Sequence, residues 1–89
     1  MAALNVGDIV VLPKSFFEAN RFITQFFPSL RPGVMLLVKS TSNFVDGLIG
    51  ADILEDIESK EVFDVSTVPE LEDYWCILDS SDNFRVIPQ

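Results

Sequence analysis

Apolar residues recur along this chain with two different periods, and the change from one to the other divides it into elements. Val6-Gly7-Asp8-Ile9-Val10-Val11-Leu12-Pro13 is a turn followed by a short β-branched run. A proline, which a sheet ladder tolerates poorly, closes that run, so a strand is predicted near 7–12. The spacing then changes. Phe16, Ala19, Phe22, Ile23, Phe26 and Phe27 recur at three- and four-residue steps, while Glu18, Asn20, Arg21 and Gln25 fall outside that stripe. One amphipathic helix over 15–27 is predicted. Ser15-Phe16-Phe17-Glu18 has capping-box form at its start and Pro28 stands at its end. About three turns are too few to be stable alone, so this helix must be held against a sheet.

Arg31-Pro32-Gly33-Val34 suits a type II turn, in which proline fixes the first central φ and glycine supplies the positive second one. Val34 to Val38 is apolar on both faces, as a central strand is when the helix covers one side and more protein covers the other. Asp46-Gly47 between apolar residues marks a two-residue hairpin turn, giving strands near 34–45 and 48–54. Ile49, Ala51 and Ile53 alternate with Gly50 and Asp52, so the return strand should have one wet face.

Glu55 to Glu61 reads as an acidic connection with room for a helical turn, and Val62 to Val65 as a short strand. Thr67-Val68-Pro69-Glu70 repeats the capping-box pattern and predicts one or two helical turns through Asp73. Tyr74 to Leu78 and Phe84 to Pro88 flank the turn-like Asp79-Ser80-Ser81-Asp82-Asn83, and they read as a closing hairpin.

The expected fold is therefore α+β, with the helix packed on a small antiparallel sheet of about five strands. The Gly7-Asp8 pair before an apolar run resembles the first strand of many SH3-like barrels, which implies a barrel-like sheet. The expected core is Val10, Phe22, Ile23, Phe26, Leu36, Val38, Ile53, Cys76 and Ile77.

Length and composition narrow the function classes. At 89 residues the chain fits one domain, and 48% hydrophobic content with eight Phe is ample for a packed core. No apolar run approaches a membrane span, and the first residues lack a signal-peptide pattern, so a cytoplasmic location is expected. With one cysteine, Cys76, and no histidine, no zinc site or cofactor is expected. No Gly-rich phosphate loop is present, and Cys76 lies in an apolar run where a thiol behaves as a small hydrophobe. A non-enzyme is expected. The predicted helix carries only Arg21 as a cation on its polar face, which disfavours an interfacial membrane helix.

Charge changes this picture most. The chain carries −8. Residues 1–45 hold Lys14, Arg21, Arg31 and Lys39 against Asp8 and Glu18, whereas residues 46–89 hold twelve acids against Lys60 and Arg85. Direct binding to nucleic acid or to an anionic membrane, which depends on clustered Lys and Arg, is not expected. A basic protein partner is. The candidate partner-binding residues are Asp52, Glu55, Asp56, Glu58, Glu61, Asp64, Glu70, Glu72 and Asp73, with Trp75 as an aromatic anchor.

The leading expectation is a small inhibitor or regulator that docks its acidic half on a basic nucleic-acid-handling or toxin protein, for instance as a nucleic-acid mimic. The alternative is a structural or accessory subunit with an apolar interface. Surplus aromatics such as Phe16, Phe17, Phe26 and Phe27 leave a homo-oligomer open.

Overall fold

Alternation of buried and open positions builds the strands at Ile9–Val11 and Val62–Asp64 and the first half of the one at Met35–Asn43. A computed structural model describes residues 4–43, 49–67, 78–79 and 84–87. In chain order these form β1 (Ile9–Val11), α1 (Lys14–Ala19), α2 (Ile23–Phe26), β2 (Met35–Asn43), β3 (Ile49–Asp56) and β4 (Val62–Asp64), then a 3-10 turn (Val65–Thr67), β5 (Leu78–Asp79) and β6 (Arg85–Ile87). The strands lie in the order β4-β3-β2-β1-β6, with β5 pairing the same outer edge of β3 further along. Every pairing is antiparallel. The fold is a small α+β one with an open sheet: among the described residues no pairing joins β4 to β6. No helix among them is long and apolar enough to cross a membrane.

Val10, Leu36, Val38, Leu54 and Phe63 share one face of the sheet and are essentially inaccessible. Phe16, Ile23, Phe27 and Leu30 close over that face, and the Phe27 ring meets Phe63 edge-on at 5.6 Å. Gly33 supplies the positive φ (86°) of the predicted type II turn, and the Val34 amide donates to the Arg31 carbonyl at 3.1 Å. That turn drops β2 beside β1, where Val10 faces Leu36.

Three expectations need correction. The predicted single helix is two short ones. Asn20 ends α1: its side-chain amide donates to the Phe16 carbonyl at 3.0 Å, and the Asn20 backbone amide donates to the same oxygen at 2.9 Å. Asparagine offers the backbone this alternative to a continued helix. The N-cap is Pro13, without a side-chain capping bond, so the Ser15–Glu18 box does not start the helix. As a result Phe22 and Phe26 are only half-buried against the core, Ala19 is exposed, and Phe16 and Phe27 take the interior places.

The second correction concerns β3. Val38 pairs with Leu54, Ser40 with Ile53 and Thr41 with Ala51, so Lys39 and then Asp52 are passed over in compensating register shifts. This bulging lets Leu54 and Ala51, three residues apart, both be fully buried, and it leaves Ile53 half-buried on the opposite face. β3 also runs on to Asp56, so the connection is residues 57–61, a hairpin turn closed by the Lys60 amide on the Asp56 carbonyl and containing no helix.

The third correction is that, among the described residues, β5 and β6 do not pair with each other; residues 74–77 and 80–83 of the predicted hairpin lie outside them. β5 adds to β3 and β6 to β1, because both strands offered an unpaired edge and local periodicity carries no information on which one is taken. The Asp46-Gly47 turn, the helical turns predicted through Asp73, and the core assignments of Cys76 and Ile77 lie outside the described residues. The strands flanking Asp46-Gly47 do pair, Asn43 facing Ile49.

Candidate docking surface

The acidic stretch folds as strand, turn and strand, and the two-residue period of β3 sends neighbouring carboxylates in opposite directions. Asp56 shares the core side with Leu54 and is 2% exposed. A buried carboxylate is costly unless it is hydrogen-bonded and paired, and here it is both. Its Oδ1 accepts from the Glu58 amide at 2.9 Å and the Ser59 amide at 3.4 Å, and its Oδ2 lies 3.2 Å from Arg31 Nη1. The Glu58 amide bond above all, with help from Arg31 and Ser59, holds its pKa below the usual value despite the opposing effect of burial. Asp56 is thus the organiser of the turn. The chain reverses through Lys60 at φ 66°, with the Lys60 amide donating to the Asp56 carbonyl and the Asp56 amide to the Glu61 carbonyl.

The other described acids divide by task. Asp64 Oδ1 accepts from the Ser66 amide at 2.9 Å and the Ser66 hydroxyl at 2.7 Å, which caps the 3-10 turn. Glu55 is half-buried and lies 3.5 Å from Lys39 Nζ. Asp52 is half-buried at the bulge. Glu58 and Glu61 are exposed at the hairpin, Glu58 with a long contact of 3.7 Å to Arg31. Glu70, Glu72, Asp73 and Trp75 lie outside the described residues. No group of three acidic or cysteine side chains among the described residues is arranged to hold a metal ion.

A second feature escaped the list of candidate residues. Opposite the core, Ile87, Ile9, Leu37, Glu55 and Val62 are direct cross-strand neighbours and form one row across five strands. A parallel row joins Arg85, Val11 and Met35. Val62 is 53% exposed and the other apolar members of both rows are half-buried. The signal was legible, since Val34 to Val38 and Ile9 to Leu12 lack the apolar–polar alternation of a strand with one wet face. For such a run the sequence predicts that more protein covers the face away from the helix. Glu55 and Asp64, both nominated for their charge, stand on this same face at its β3–β4 end.

No protein-family model, curated protein or solved structure matches this chain.

Proposed function

We propose that this chain is a small protein-binding module that docks on a basic protein and acts by occupying it, without turnover. The observation that carries this reading is the β3–β4 hairpin. It holds Glu58 and Glu61 in solvent on a turn fixed by the buried Asp56, with Glu55 and Asp64 beside them on the open face of the sheet. Fixed carboxylates at a rigid edge raise the encounter rate with a cationic surface and orient it on arrival. Among the described acids of the β3–β4 segment only Glu58 and Glu61 are exposed, which favours recognition of a protein patch over imitation of a phosphate ladder.

The alternative of an accessory subunit draws support from the half-buried apolar rows opposite the core. The SH3-like reading of the sheet draws support from its order, in which a three-strand meander (β2, β3, β4) is followed by a last strand that returns to pair with β1.

A pull-down from the source cells at low and at high salt tests the module reading. A protein with a basic surface should be retained by the wild type at low salt, and lost both at high salt and with the Glu58→Lys/Glu61→Lys variant. Equal retention in all arms would contradict it.

A further inference from the structure

β1 and the first half of β2 (Met35 to Val38) are apolar on both faces, yet among the described residues only the face under the helices reaches full burial. Val10 and Leu36 are inaccessible, while Ile9, Leu37 and Met35 on the other side are half-buried. An antiparallel sheet meant to keep one face wet places polar residues there. Building on the binding-module reading above, we propose that this second face is the centre of the docking interface. Its occupant is a partner segment with an apolar middle and with Lys or Arg on the side that meets β3–β4.

The charges on the face select that occupant. Glu55 and Asp64 lie at the β3–β4 end of the rows, with Lys39 Nζ 3.5 Å from Glu55 and with Glu61 next to them on the strand approach, so that end holds more acid than base, whereas Arg85 lies at the β6 end. A partner with cations over β3–β4 satisfies the acidic end and sets its own orientation. A second copy of this chain is the disfavoured occupant, because each copy carries −8 and bringing two together adds repulsion. An apolar centre bordered by charge is also the anatomy of non-obligate interfaces, where the middle supplies affinity and the rim supplies rate and register.

Methyl and amide NMR titration of the full chain with two defined probes tests this. One probe is a twelve-residue peptide alternating Leu and Lys; the other is oligolysine of equal length. The Leu–Lys peptide should bind about tenfold more tightly, the effect of burying a few tens of square ångströms of apolar surface. It should shift the methyl signals of Ile9, Leu37 and Ile87. Leu37→Asn, or Ile9→Thr where the first does not give a folded spectrum, should remove the preference and keep the weak oligolysine binding.

Equal affinity for both peptides, with shifts confined to Glu58 and Glu61, would overturn this face while leaving the electrostatic module standing. Binding of neither peptide would overturn both. Concentration-dependent dimerisation that moves the same methyl signals would make a second copy the occupant and overturn the proposal. Methyl groups already shielded from a soluble paramagnetic reagent in the free chain would mean that the chain's own residues cover the face, and would overturn it too.

Discussion

Arg31 and Asp56 meet across 25 residues of sequence, with Nη1 3.2 Å from Oδ2, the guanidinium half in solvent and the carboxylate fully enclosed. The contact joins the turn that launches β2 to the turn that ends β3. Because the same carboxylate also accepts two backbone amides, Asp56 fixes the shape of the hairpin that carries Glu58 and Glu61.

Asp56→Asn should therefore lower stability at neutral pH by about 1–3 kcal/mol, the range for losing a charged acceptor's share of its hydrogen bonds. The pH dependence has a defined sign. The folded-state pKa lies below the ordinary 3.8, so the stabilisation is complete above that value and disappears as pH falls through the folded pKa. Urea denaturation at pH 7 should separate wild type from Asp56→Asn, and the two midpoints should converge as pH falls through the lowered folded-state pKa. A gap that stays constant with pH would assign the loss to packing instead of charge.

Lys60 adopts the left-handed conformation at φ 66°, which costs an L-residue about 1–2 kcal/mol and glycine almost nothing. Lys60→Gly should raise stability by about 0.5 kcal/mol once the added freedom of the unfolded chain is subtracted. Lys60→Val should lower it, because β-branched residues fit this region worst. Thermal melts of the three proteins should rank Gly, Lys, Val from most to least stable.

In the core, Leu36→Ala and Phe63→Ala should each cost roughly 2–5 kcal/mol, since both side chains are wholly enclosed and leave a cavity. Phe22→Ala should cost less than Phe63→Ala, because Phe22 only lies along the margin of the cluster. Denaturant midpoints compared at constant m-value settle the order.

Much of this fold was legible where a local rule applies. The type II turn at Gly33 and the burial of Val10, Ile23, Leu36 and Val38 follow from turn chemistry and period alone. The failures arise where two rules compete or where the deciding contact is distant. The 3.6-residue stripe through Phe22 and Phe26 says nothing of Asn20 capturing the Phe16 carbonyl. The alternation of Ile49, Ala51 and Ile53 hides a bulge that only pairing with β2 creates. Asp56 looks like its acidic neighbours, and its different role depends on Arg31, far away in sequence. The second apolar face was visible in the doubly apolar run at Val34 to Val38, but which side α1 and α2 cover follows only from the packing of Phe16, Ile23 and Phe27 over Val10 and Leu36.

The burial of Asp56 also decides how the functional account is best tested. Lysine there would dismantle the hairpin, and lysine at the half-buried Glu55 would face Lys39, so charge reversal belongs at the exposed Glu58 and Glu61, where the fold should persist: exposed pairs contribute about 0–1 kcal/mol each. The most direct measurement is the association rate constant with the basic partner recovered by pull-down, followed by stopped flow from low to high salt. With a screening length of about 8 Å at physiological ionic strength, the wild-type rate should fall steeply as salt rises, and the double Lys variant should associate slowly at all salt concentrations. A folded double variant that associates as fast as wild type at low salt would contradict the account.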